Sequence, residues 1–145
     1  MRALIQRVAR ASVAVGPRVV GEIGSGLLVF LGVQRGDDEQ RAHSMAERLL
    51  AYRVFADGEG RMNLDVRAAG GGVLLVSQFT LAADTTRGLR PGFASAAAPA
   101  LAEILYGKVL QRLAAAHQPV ASGVFGATME VSLINDGPVT FLLET

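Results

Sequence analysis

Ser77-Gln78-Phe79-Thr80 follows the wholly apolar run Val73-Leu74-Leu75-Val76 and is the first place in this sequence that could do chemistry. A hydroxyl can attack an acyl carbon when a neighbouring base takes its proton. An amide side chain can orient a polar substrate, and backbone N–H groups can hold an oxyanion. Simple alternation along a strand accounts for the same residues, with Ser77 and Phe79 on one face and Gln78 and Thr80 on the other. From pattern alone that reading is slightly favoured. The loop that follows, Asp84-Thr85-Thr86-Arg87-Gly88-Leu89-Arg90-Pro91, supplies two arginines and supports a site at the strand end. Asn135-Asp136-Gly137-Pro138-Val139-Thr140 is a second polar segment. Asp-Gly suits a hairpin turn, and Pro138 is tolerated as the first residue of the next strand. Spacing cannot assign a cis bond before Pro138.

Several chemistries lack their residues. Without cysteine there are no disulfides, thiolate nucleophiles or zinc–sulfur sites. His43 and His117 are the only histidines and have no metal-ligand spacing. Both read as ordinary surface or helix-end residues, and a Ser-His-Asp triad would have to recruit one of them from a helix. Carboxylates are few and unclustered, so no metal or other cofactor is expected. Gly21-x-x-Gly24-x-Gly26 has the dinucleotide fingerprint reversed and precedes a strand, so it reads as turns, as does Gly70-Gly71-Gly72.

The elements that must position these segments follow from the hydrophobic pattern. Residues 2–33 read as strands, the last of them, Leu27 to Val33, apolar on both faces and therefore central. Asp37 and Gln40 resemble a capping box for a helix from about Asp38 to Tyr52. Short strands flank the turn Asp57-Gly58-Glu59-Gly60. Val73 to Leu81 is a buried strand and Ala82 to Pro91 a loop. A second helix starts near Pro99 with Leu101, Ile104, Leu105, Val109 and Leu113 as its apolar stripe. Val120–Ser122, Met129–Ile134 and Val139–Leu143 close the chain as strands, the last two joined by a turn at 135–138. The fold class is α/β: residues 1–145 form a single domain, with a mixed, curled or barrel-like sheet and two helices packed on one face.

Bulk properties set limits on partners and location. Half of the 145 residues are hydrophobic, which is high for a short chain and hints at a second subunit. Net charge is +1, so the electrostatic case for an RNA partner is weak by itself. The longest apolar runs are too short to span a bilayer, and no signal peptide is evident. A cytoplasmic location is expected, with no membrane partner.

Together with their flanks, the two polar segments carry a family likeness. Arg7-Val8-x-x-Ala11-Ser12-Val13, Gly26 to Val33, Phe55-x-Asp57-x-x-Gly60-x-Met62-Asn63-Leu64, Ser77-Gln78-Phe79-Thr80, Gly88-x-Arg90-Pro91, Gly123-x-Phe125-Gly126-Ala127-x-Met129 and Gly137-Pro138-Val139-Thr140 occur in order. The sequence resembles the D-aminoacyl-tRNA deacylase family, often called D-Tyr-tRNA deacylase, over nearly its whole length. It departs at Arg61, where a lysine is expected, and at Gly92, where a serine usually follows Arg-Pro.

The resemblance implies a homodimer with active sites at the interface. It implies hydrolysis of the ester of D-aminoacyl-tRNA, and of glycine mischarged on tRNA, as proofreading in translation quality control. Ser77, Gln78, Phe79 and Thr80 would be the catalytic segment. Gly137 and a cis Pro138 would reach the partner's site and reject L side chains by clash. Phe125, Gly126, Ala127 and Met129 would bind the 3′-terminal adenosine, with an aromatic face free to stack on the base; plain core packing accounts for Phe125 and Met129 equally well. Arg87 and Arg90 would meet phosphates of the acceptor end. Two mechanisms stay open. Thr80 attacks the ester itself, or water attacks with help from the terminal 2′-hydroxyl while backbone N–H groups near Phe79 and Thr80 hold the oxyanion. The second suits residues so poor in bases. The rivals are a non-catalytic RNA-binding module and an esterase for small molecules.

Overall fold

A computed structural model describes the whole chain, Met1–Thr145. Its organising element is β1 (Arg2–Val15), which pairs antiparallel with three other strands. β2 (Arg18–Ile23) folds back on its second half and β3 (Gly26–Gly32) on its first half. After β3 come α1 (Glu39–Ala51) and a small hairpin of β4 (Phe55–Ala56) and β5 (Met62–Leu64). β6 (Gly72–Ser77) then returns parallel to β3. α2 (Pro99–Ala116) leads to β7 (Val120–Ser122), parallel to β6. β8 (Glu130–Glu144) runs back along β1.

The mixed, curled sheet with two helices on one face is the fold expected from the sequence. β3 and β6 are buried on both sides because their branched and Leu side chains alternate into two cores. Ala3, Ile5, Leu27, Val29, Leu31, Val73 and Leu75 meet both helices in the larger core. Val8, Val13, Ile23, Leu28, Leu74 and Val76 fill the inside of the curl. Each Val, Leu or Ile among them contributes about 1.5–3 kcal/mol by leaving water. The curl nearly closes where β2 meets β7. A Cβ at Gly21 would stand 2.6 Å from the Ser122 carbonyl oxygen, so the approach needs a residue without one. No helix is long and apolar enough to cross a membrane.

Four details differ from the sequence expectation. Asp38, not Asp37, caps α1, accepting from Arg41 N at 2.9 Å. The stripe of α2 is Ala102, Leu105, Tyr106, Val109 and Leu113, while Leu101 and Ile104 are exposed. These residues fall on one face at i, i+3, i+4, i+7 and i+11, a phase that hydrophobicity alone had blurred. β6 ends at Ser77, and Phe79–Ala82 forms a 3₁₀ turn, so face alternation does not apply there. Residues 135–138 do not reverse the chain. They lie within the single strand β8 as a bulge, since Thr140 pairs with Gln6 and Asn135 with Val8.

Asp37 has another task. Its carboxylate and the Met1 ammonium, both fully enclosed, lie 2.7 Å apart. Gln34 donates its backbone N–H to the other carboxylate oxygen at 2.7 Å, and its side-chain Oε1 accepts from Met1 at 3.1 Å. The pair pins the start of β1 to the turn before α1. Breaking a buried pair strands a charge. Asp37→Asn is therefore expected to lower the unfolding free energy by about 3–5 kcal/mol, measured as a shift in the urea midpoint.

Candidate active site

The carboxyl ends of the parallel strands β3 and β6 open into a cleft of about 470 Å³. Crevices at this end of parallel strands are common ligand sites because the backbone there is free to diverge. Leu31, Val33 and Val76 contribute apolar surface, and Ser77, Gln78 and Phe79 the polar turn. Pro99, Ala102 and Tyr106 come from α2, and Phe125, Gly126, Ala127 and Met129 from the segment between β7 and β8. Three of the four residues of the first signature thus meet all four from the 125–129 segment. Thr80 sits on the 3₁₀ turn just outside the lining and is exposed.

The turn fixes what Thr80 can do. Gln78 N donates to Leu31 O at 2.8 Å, keeping the turn in register with β3. The turn's first internal bond is donated by Leu81, to Gln78 O at 3.2 Å. The amides of Phe79 and Thr80 therefore have no partner within the turn, as at any helix start. The Gln78 side-chain amide donates to Thr80 Oγ1, and an amide cannot take a proton from a hydroxyl. Both histidines are elsewhere. His43 lies 3.6 Å from Glu39 on α1. His117 contacts Gly71 O at 2.7 Å, just before the opposite end of β6, about 20 Å from Ser77 along the strand.

Tyr106 belongs to the site and was not singled out from sequence. Its hydroxyl donates to Leu75 O at 2.9 Å, and its ring lies 5.8 Å from that of Phe125. Burial pushes its phenol up to about 12, so it stays protonated at any physiological pH. The available signal was a phenol within a strict helical stripe, since a buried hydroxyl needs a partner.

Gly137 and Pro138 do not line the cleft of their own chain. They form the exposed crest of the β8 bulge, joined by a cis peptide bond. The bulge is firmly tied. Asn135 Oδ1 accepts from Val139 N at 2.7 Å, and its Nδ2 donates to Thr140 Oγ1 at 3.1 Å. Arg7 donates to Asp136 O at 2.9 Å and to Val54 O at 2.7 Å, binding the bulge to the segment before β4. Arg7 opens the first likeness segment in the sequence, but its bracing role shows only in the structure.

Arg87 and Arg90 are exposed on the 84–92 loop and also lie outside the cleft lining. Asp84 and Gly92 close that loop by a pair of backbone bonds at 2.7 and 2.9 Å. The Thr86 hydroxyl and amide both donate to the Asp84 carboxylate and hold it below the usual carboxylate range. Beside the loop, Phe93 packs on Phe79 with ring centres 5.1 Å apart.

With this geometry in hand, comparison with known proteins is informative. The sequence model described as D-Tyr-tRNA(Tyr) deacylase matches residues 4–144. This chain belongs to that deacylase family. A protein from Citrobacter koseri named D-aminoacyl-tRNA deacylase is 60% identical over 144 residues, covering 99% of each chain. One of the same name from Klebsiella pneumoniae is 59% identical over the same span. Among solved structures, a c-Myc DNA unwinding element binding protein is similar with a TM-score of 0.95 and 38% identity, covering 100% of this chain and 99% of the other. A probable eukaryotic D-amino acid tRNA deacylase has a TM-score of 0.81 at 17% identity, covering 98% and 97%, and shares the fold.

In this deacylase-family chain the two signatures lie in different places, one at the cleft and one on a braced external corner. The corner needs glycine at 137. Its φ is +144°, and a Cβ there would lie 2.6 Å from Val139 Cγ2 and 2.9 Å from Val139 N. Gly137→Ala is expected to cost about 1–3 kcal/mol of stability. It should shift the amide resonances of Asn135 and Val139 while leaving those of α1 in place, as read by two-dimensional NMR.

Proposed function

We propose that this chain is a D-aminoacyl-tRNA deacylase, an ester hydrolase that releases D-amino acids from tRNA. Family membership over nearly the whole chain supports the activity. The observation that carries the site is the meeting of Ser77, Gln78 and Phe79 with Phe125, Gly126, Ala127 and Met129 around one apolar cleft. In this reading the terminal adenosine lies against Phe125 and Met129, with its ester toward the Ser77–Thr80 turn. The free amides of Phe79 and Thr80 stabilise the oxyanion, and Gln78 orients the substrate. Arg87 and Arg90 contact phosphates of the acceptor end.

Water is the attacking group, positioned by the terminal 2′-hydroxyl. The absence of any base beside Thr80 favours this over a covalent threonine. An aminoacyl ester is already activated, so orientation and charge stabilisation suffice. Gly137 and Pro138 of a second copy close the cleft near the α-carbon and leave no space for an L side chain. Glycine, with only hydrogen there, passes. The exposed Leu133, Ile134, Phe141 and Leu142 of β8 support a homodimer. The setting is the cytoplasm, where charged tRNA is made and used.

The printed description of the 38% identical structural neighbour favours one other reading, nucleic-acid binding without catalysis. A deacylation assay separates the two, because a simple binder would release no D-tyrosine above buffer background. D-Tyr-tRNA is expected to lose its amino acid at least ~100-fold faster than L-Tyr-tRNA, since a steric clash of about 3 kcal/mol gives that ratio. Glycyl-tRNA should also be hydrolysed. Equal rates for both enantiomers would sink the proposal. For the mechanism, Thr80→Ala is expected to stay within about tenfold of the parent rate, whereas a covalent nucleophile would lose several orders of magnitude. A tRNA ending in 2′-deoxyadenosine should be cleaved about 10²–10⁴-fold more slowly.

A further inference from the structure

We infer that Tyr106 is a positioning residue for the substrate, its ring setting the stance of Phe125 in the cleft. The inference rests on the reading that the aminoacyl-adenosine binds there. The segment that carries Phe125, Gly126, Ala127 and Met129 belongs to neither β7 nor β8. Its one internal backbone bond runs from Ala127 N to Val124 O at 3.2 Å. A short irregular segment takes its shape from what it packs against.

Met129 packs on the Val13 side of the smaller core, and Phe125 packs on Tyr106. The Tyr106 side chain is 5% exposed, and the ring meets Phe125 at a 50° tilt. The hydroxyl donates to Leu75 O, and Gly123 N donates to the same oxygen at 2.9 Å. One carbonyl of the central strand thus ties α2 and the start of the 123–129 segment to a common point, two residues before Ser77. Gly123 N holds that carbonyl independently of the phenol, so the ring contact at 5.8 Å is what sets the height of Phe125 above the cleft. The phenol proton is committed to Leu75, so Tyr106 acts through Phe125 and not on the ester.

A double-mutant cycle on the full-length protein tests this, with steady-state deacylation of D-Tyr-tRNA and the melting temperature as readouts. Tyr106→Leu is expected to raise KM at least about five-fold while kcat stays within roughly two-fold. Tyr106→Phe keeps the ring, and Leu75 O keeps its bond from Gly123 N, so KM should return to within about two-fold of the parent. Phe125→Leu should raise KM comparably, and the Tyr106→Leu/Phe125→Leu pair should add little more, because both changes remove one effect. Where Tyr106→Leu does not fold, Tyr106→Met takes its place in the cycle. Additive effects on KM, an unchanged KM in the folded Leu variant, or a Phe variant no better than Leu would each overturn the role. A parent protein that released no D-tyrosine would overturn the reading of the cleft and this inference with it. An active parent with an additive cycle would overturn the role of Tyr106 alone.

Discussion

A strand buried on both faces and paired on both edges cannot carry polar side chains along its length, and β6 is such a strand. β3 and β7 flank it in parallel, and the residues from Gly72 to Val76 are enclosed. Hydroxyl and amide groups become affordable only at its carboxyl end, where the sheet stops and the 3₁₀ turn begins. Ser77 and Gln78 stand at that boundary. The same parallel pairing brings Leu31 and Val33 at the end of β3 to the same opening, so the cleft is a consequence of strand direction. Antiparallel β6 would have sent its polar end to the opposite side of the sheet, away from the 123–129 segment.

The electrostatic surroundings of the cleft are equally restrictive. No charged side chain lines it, and the one that touches the turn, Arg2 donating to Leu81 O at 3.1 Å, is paired with Glu144 at 2.7 Å. Asp84 is held by Thr86, Asp37 by the Met1 ammonium, and both histidines lie far from Thr80. Tyr106 has its proton fixed on a carbonyl. What remains near the turn is a pair of unpartnered amides, a glutamine and apolar walls. Such a set cannot generate a strong nucleophile, yet it can orient a molecule and stabilise negative charge. That combination is suited to an ester already primed to react and poorly suited to an amide.

The periodicities that reached the structure intact are those where one energy dominates. Leu27 to Val33 and Val73 to Val76 could only be central strands, because burial outweighs every other preference there. Pro99 opened α2 because its missing N–H costs nothing at the first helical position. The failures occur where two local signals compete. Asp37 and Asp38 are both good caps, and only the distant Met1 ammonium decides between them. Leu101 and Ile104 are as apolar as the residues chosen for the stripe, and the helix phase is decided by packing against α1 and the sheet. Asn-Asp-Gly-Pro reads locally as a turn. The long pairing of β8 with β1 and the grip of Arg7 hold it as a bulge instead. The candidate site was legible as motifs, through the family likeness. The roles of Tyr106 and Arg7 were not, because both act through contacts 30 or more residues away in sequence.

The braced corner on β8 raises a question of economy. Four residues stand where one would continue the ladder, and Asn135 and Arg7 make three hydrogen bonds to them and two more to Thr140 and Val54 beside them. A bulge that served only to twist its strand would not need so many ties, nor would its crest have to face solvent. Within one chain the crest meets nothing in the cleft. On the proposed reading both facts follow together: stiffness is needed because rejection by clash works only if the wall cannot yield, and exposure is needed because the wall serves a neighbour's cleft. A flexible loop in the same place would bend around an L side chain at little cost and discriminate nothing. On that reading, rigidity of the corner is what selection by handedness requires, whatever the D side chain.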